Sequence, residues 1–210
     1  MHESVRALLG PGVRYMTPEE RAGSIAEVLS RAPRDGSVWI FGYGSLMWNP
    51  AFHFAERRAA RIHGYHRQFC LWARAGRGSP ARPGLMLALE RGGSCHGVAF
   101  RLAPGHVASE LDVIWRREML TRAYRRVWGG ARTRDATGER SEPAIAFAAN
   151  PAHERYVRGL GAEETARYLA SGAGPLGACR DYLFDTVAHL RELGIRDRRL
   201  EALERRVRER

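Results

Sequence analysis

The chain has 210 residues and a formal net charge of +11, and all 34 of its basic residues are arginine. That length suits one well-buried core, and no composition break separates two hydrophobic segments, so a tandem array is excluded in favour of one domain. No run reaches the about eighteen apolar residues that span a bilayer, Glu3 sits where an export leader would be basic, and Cys70, Cys95 and Cys179 lack CxxC spacing and histidine partners, which argues against export, a membrane anchor, a disulfide framework or a zinc site and fits a reducing cytoplasm.

Residues 1–34 read as an amino-terminal extension with one helix. Thr17 can cap it, Pro18 suits its first turn and Glu20 completes a capping box, while Ala22, Ile25, Ala26, Val28 and Leu29 form an apolar face expected to pack on the chain's own domain. The boundary is placed so that 1–36 is the helical extension and 37–210 the domain. Strand signals follow at 38–43, 61–72, 85–90 and 96–102, with Arg91, Gly92, Gly93 and Ser94 as a hairpin turn between the last two. A helix is expected at 106–120, then two strands at 124–132 and 144–149 joined by a polar segment containing Gly138. Helices at 162–170, 177–193 and 197–209 complete the order. Antiparallel strands interrupted and followed by helices make an α+β fold. The arginine-rich tail from Arg196 reads as a solvated helix.

The first strand runs into Phe41-Gly42-Tyr43-Gly44-Ser45-Leu46-Met47-Trp48. Val38, Trp39, Ile40 and Phe41 suit a buried strand, and Gly42 and Gly44 free the backbone around Tyr43 to turn, so that N–H groups beyond the strand can converge on an anion. An ordinary glycine turn is the alternative. Further along, Val107, Leu111, Ile114 and Glu118 fall on one helical stripe, which aims a carboxylate where apolar residues point. Desolvation raises the pKa of such a group toward the range useful for proton transfer. The competing reading is a helix that frays before Glu118, leaving it exposed or paired to Arg117 or Arg122. Tyr182 shares a stripe with Cys179, Leu183, Thr186, Val187 and Leu190 and reads by periodicity as a core tyrosine. His63, His66, His96 and His106 have no metal-ligand spacing. Ser45 lacks a GxSxG context and triad partners, so its backbone N–H is the expected contributor.

The loop string resembles the signature of the ChaC-like γ-glutamylcyclotransferases, in which a strand leads into Gly-Tyr-Gly-Ser-Leu. Gly64, Tyr65, Arg67 and Phe69 are similar to the family's Gly-Tyr-x-Arg-x-Phe strand. Gly78, Pro80, Pro83 and Gly84 resemble its Gly-x-Pro-x-x-Pro-Gly loop, Glu118 stands where the family places its catalytic glutamate, and Asp181 and Tyr182 match a last block. The matches keep family order from about residue 37 to about residue 193. The resemblance implies a small irregular β-barrel flanked by helices, and an enzyme cleaving glutathione to 5-oxoproline and Cys-Gly without a metal or other cofactor. It further implies Glu118 as general acid and base, with Gly42, Tyr43, Gly44, Ser45, Leu46, Met47 and Tyr182 contacting substrate. Neither a nucleic-acid partner nor a membrane is expected. Two alternatives stand beside it: cyclisation of other γ-glutamyl amides, and a noncatalytic arginine-rich nucleic-acid-binding module, which requires a concentrated basic face.

Overall fold

The computed structural model describes residues 13–135 and 138–210; the beginning of the expected amino-terminal extension lies outside the described residues. Helix α1 (Pro18–Leu29) starts with the expected capping box: the Glu20 N–H donates to Thr17 Oγ1 at 3.2 Å, and the Thr17 N–H donates to Glu20 Oε2 at 3.0 Å. Its buried stripe is rotated from the expected one. Ile25 and Val28 are buried, whereas Ala22 and Ala26 are exposed. The contacting side is Arg21, Ser24, Ile25 and Val28, because it meets helix α2 (Val107–Glu118) through polar anchors: Arg21 Nε lies 2.5 Å from Asp112 Oδ1, and the Trp115 indole N–H donates to Ser24 Oγ at 2.9 Å. A buried indole needs an acceptor, and a methyl group has none to offer.

The chain divides into two compact units, one of residues 14–67 and 89–150, the other including 68–88 and 151–210. A closed five-stranded barrel in the order β1-β3-β2-β4-β5 is made by β1 (Trp39–Gly42), β2 (Phe54–Ala73), β3 (Gly84–Leu102), β4 (Tyr124–Asp135) and β5 (Gly138–Ala149); β1, β4 and β5 lie wholly in the first unit, whereas residues 68–73 of β2 and 84–88 of β3 belong to the second. Strand β1 pairs antiparallel with β3, Gly42 opposite Val98, and parallel with β5, Ile40 opposite Ile145. Strands β4 and β5 form a hairpin in register from Tyr124 opposite Ala149 to Asp135 opposite Gly138. Closure removes the unpaired edges that an open sheet of this size would present. Ile40, Phe41, Ile62, Leu89, Phe100 and Phe147 fill the core.

The α+β class and the barrel match expectation, but several strands are longer than the apolar runs that announced them. Strand β2 begins at Phe54, and residues 54–59 are all exposed or half-buried. The same holds for 138–143 at the start of β5. Such stretches carry their ladder hydrogen bonds without an apolar signature, so hydrophobic patterning is blind to them. The expected turn at 91–94 lies inside one continuous extended element, β3, although Gly92 and Gly93 both have positive φ, 99° and 70°, as a two-residue turn there demands.

The second unit contains α3 (Ala162–Ser171), a short ladder of β6 (Ala173–Gly174) with β7 (Gly177–Ala178), α4 (Cys179–Glu192) and α5 (Arg198–Arg208). Asp197 caps α5 by accepting the Leu200 N–H at 3.1 Å. Cys70, Cys95 and Cys179 are all buried. The Cys179 thiol donates to the Leu85 carbonyl at 3.0 Å and accepts the Leu85 N–H at 3.2 Å, and burial pushes its pKa up to about 11, so it behaves as a packing group. No helix among the described residues is long and apolar enough to cross a membrane.

Candidate active site

Strand β1 is buried along its whole length, which fixes the position at which the glycine-rich loop leaves the barrel. The side chain of Tyr43 turns inward: the residue is 6 % exposed and its hydroxyl donates to the Phe147 carbonyl at 2.6 Å. Tyr43 thus anchors the loop to β5. Ser45–Met47 then form one 3₁₀ turn, with the Met47 N–H donating to the Gly44 carbonyl at 2.8 Å and the Asn49 N–H to the Ser45 carbonyl at 2.9 Å. Leu46 and Met47 are buried, so their side chains hold the turn down while Ser45 stays half-buried. What such a turn presents to a ligand is chiefly backbone.

Gly97 on β3 sets how closely this loop can sit. A Cβ built there would lie 2.2 Å from the Gly42 carbonyl oxygen and 2.9 Å from the Phe41 ring. The first obstacle is backbone, which a rotamer change cannot relieve. Gly97→Ala is expected to displace the end of β1 and cost about 1–3 kcal/mol, read as a lower midpoint in thermal unfolding, with activity falling alongside it.

Helix α2 brings the carboxylate. Leu111, Ile114 and Trp115 are buried and Val107 is half-buried, and the helix continues through Glu118 without the fraying that the alternative required. The Glu118 side chain is only 14 % exposed and pairs with Arg117, whose Nε lies 3.0 Å from Glu118 Oε1. Arg122 pairs elsewhere, 2.7 Å from Glu20 Oε1. Burial raises the Glu118 pKa, and the charge and hydrogen bond of Arg117 oppose that without cancelling it. As the last helical residue, Glu118 also faces the negative end of the helix dipole, which disfavours its ionised form further. Arg117 extends beyond its neighbour: Nη2 donates to Ser45 Oγ at 2.7 Å and Nη1 donates to the Asn49 carbonyl. One guanidinium therefore touches both the inward carboxylate and the turn that follows β1.

The ChaC-like protein family model matches residues 38–210. The chain belongs to the ChaC-like family. It is 44 % identical over 179 residues to the glutathione-specific γ-glutamylcyclotransferase of Escherichia coli (strain K12), a match covering 85 % of this chain and 76 % of that one. It is 31 % identical over 181 residues to γ-glutamylcyclotransferase 2-3 of Arabidopsis thaliana, covering 82 % and 89 %. Its fold is similar to the crystal structure of a yeast γ-glutamylcyclotransferase specific to glutathione, with a TM-score of 0.75 at 22 % identity over 82 % of this chain and 96 % of that one.

In this ChaC-like chain the loop residues Gly42, Tyr43, Gly44, Ser45, Leu46 and Met47 fall in the same unit as Glu118, while Tyr182 belongs to the other. Tyr182 is 4 % exposed, packs edge-on against Phe69 with ring centroids 6.1 Å apart, and has the Arg77 guanidinium 5.8 Å from its ring centre. The periodicity reading of a buried tyrosine is met. Among the described residues, no three His, Cys, Asp or Glu side chains cluster as a metal centre would require.

Two participants escaped the sequence reading. Arg117 figured there only as a possible partner of Glu118 beside a frayed helix end; that pair forms with the helix intact, and the Ser45 contact, which joins distant parts of the chain, had no signal in the sequence. Glu110 is the second: it lies two turns before Glu118 and is 6 % exposed. Burial works to raise its pKa, but the His53 N–H at 3.0 Å, the His53 imidazole at 2.9 Å and the charges of His53 and His106 outweigh it, and the net shift is downward. The spacing 110, 114, 118 was visible as a pattern; nothing in it announced His53. The pKa values of the two carboxylates of one helix are thus shifted in opposite directions, that of Glu110 down and that of Glu118 up.

Proposed function

We propose that this chain is a glutathione-specific γ-glutamylcyclotransferase, which cleaves the γ-glutamyl amide by intramolecular attack and releases 5-oxoproline and Cys-Gly. The observation that carries the reading is the inward Glu118, its pKa raised by burial, held by Arg117 to the turn that follows β1. The relatives supply the substrate class: the E. coli protein that is 44 % identical carries glutathione in its name.

The chemistry asks little of the protein beyond shape and proton transfer. The substrate's own α-amine is the nucleophile, and its γ-carbonyl carbon closes a five-membered ring, so proximity is built into the reactant. Glu118 takes a proton from the α-ammonium, the amine attacks the γ-carbonyl carbon, and the electron pair of the C=O bond moves onto oxygen. The ring nitrogen of that tetrahedral intermediate loses its second proton to solvent, and collapse then expels the cysteinyl nitrogen, to which Glu118 delivers the proton it took. Backbone donors and acceptors of the Gly42 to Met47 loop, where the Met47 N–H is engaged within the turn, hold the γ-glutamyl part and the developing oxyanion. The family resemblance assigns Tyr182 to the substrate as well, and residues 1–36 to an extension outside the domain.

The test is purified protein with glutathione and chromatographic detection of 5-oxoproline and Cys-Gly. The Arabidopsis relative, 31 % identical, is named for γ-glutamylcyclotransfer without glutathione. A panel of γ-glutamyl amino acids belongs in the same assay, and preferential turnover of one of them would transfer the chemistry to a different amide.

A further inference from the structure

We infer that Arg117 is a positioning residue for the proposed cyclisation, its single guanidinium holding the Glu118 carboxylate and the Ser45–Asn49 turn in a fixed relation. This inference rests on the reading of Glu118 as the proton-transfer group. Three nitrogens of the fork serve three acceptors: Nε faces Glu118 Oε1 at 3.0 Å, Nη2 donates to Ser45 Oγ at 2.7 Å, and Nη1 donates to the Asn49 carbonyl. Ser45 and Asn49 bracket the turn and are themselves joined by the Asn49 N–H donating to the Ser45 carbonyl at 2.9 Å. The guanidinium thus ties down a unit that is already closed.

Adjacent residues on a helix diverge by about 100°, so a 117–118 pair is not something helical geometry provides. It forms because the helix stops at Glu118 and the Arg117 side chain, only 22 % exposed, folds back over the terminus. The arrangement meets two needs of the reaction. A buried carboxylate that must accept a proton has to be ionised beforehand, and a cation in contact favours that form. Once Glu118 is neutral, the guanidinium is not left stranded, because the two oxygen acceptors on the turn still hold it. A planar fork reaches three separated acceptors at once; an ammonium offers its donors from one nitrogen.

The experiment measures 5-oxoproline formation from glutathione across a pH series for the wild type, Arg117→Gln and Arg117→Lys. Their folding is checked by circular dichroism and thermal melting. Arg117→Gln removes the charge, so Glu118 holds its proton to higher pH. The acid limb of kcat/KM should move upward by about one pH unit. kcat/KM at neutral pH should fall at least about tenfold as the turn loses its tether. Arg117→Lys restores a charge without the fork: the acid limb should return toward the wild-type position while KM stays raised.

A folded Arg117→Gln enzyme with wild-type KM, turnover and acid limb would overturn the inference and leave the proposed function standing. Should that variant not fold, Arg117→Lys decides, and wild-type KM in it would likewise overturn the positioning role. A wild-type protein that forms no 5-oxoproline would overturn the cyclotransferase reading and the inference that rests on it.

Discussion

Replacing Glu118 by Gln is expected to leave the protein folded and to lower turnover of glutathione at least roughly a hundredfold. The amide keeps the shape of the carboxylate and still offers Arg117 an oxygen, so the contact at 3.0 Å survives as a neutral hydrogen bond. Removing a charge from a side chain whose surroundings already disfavour ionisation is not a stability cost, and the thermal midpoint should hold or rise. What the variant cannot do is take a proton from the α-ammonium and return it to the leaving nitrogen. The loss should fall on kcat more than on KM, because the loop proposed to bind the γ-glutamyl group is untouched. A folded Glu118→Gln protein with near-normal kcat would remove Glu118 from the mechanism, whatever the product.

Glutathione acetylated on its α-nitrogen should be inert. Acetylation takes away the lone pair that attacks the γ-carbonyl, and no side chain in the proposed mechanism replaces it as nucleophile. Because the acetyl group also adds bulk, its binding has to be measured by competition against unmodified glutathione; an analogue that competes but is not turned over locates the block in chemistry. The same mechanism fixes the fate of oxygen. In heavy-oxygen water, 5-oxoproline formed from unmodified glutathione should carry no solvent label, since its lactam oxygen is the original γ-carbonyl oxygen. Solvent-labelled free glutamate as the first product would show water attack and a hydrolase, even with Glu118 essential.

The first prediction turns on the inward Glu118, legible from residue spacing, and the second on the cyclisation that the family resemblance implies. The capping box of α1, the inward stripe that ends at Glu118 and the strand that delivers Gly42 to Met47 are local: each depends on spacing along one element, where backbone geometry translates sequence interval directly into direction. The family string told the same story at longer range, and the match over residues 38–210 bears it out. Element ends were less legible. The polar beginnings of β2 and β5 are held by ladder hydrogen bonds to neighbouring strands, and a pattern that registers only apolar residues has no access to those bonds.

Taken by itself, the sequence determined the α+β class, the family and the inward direction of Glu118, all consequences of periodicity and of a motif contiguous in the chain. Only the tertiary structure decided what surrounds the Glu118–Arg117 pair. It brought Arg117 against Ser45 and Asn49, seated the Tyr43 hydroxyl on the Phe147 carbonyl, and put His53 onto Glu110. It also turned α1 so that Ser24 receives the Trp115 indole while Ala22 and Ala26 face outward. Each of these joins residues far apart in the chain through a hydrogen bond only a few ångströms long. Such a bond depends on where barrel closure and helix packing place two side chains, and the spacing of residues along one strand or helix carries no information about the other partner.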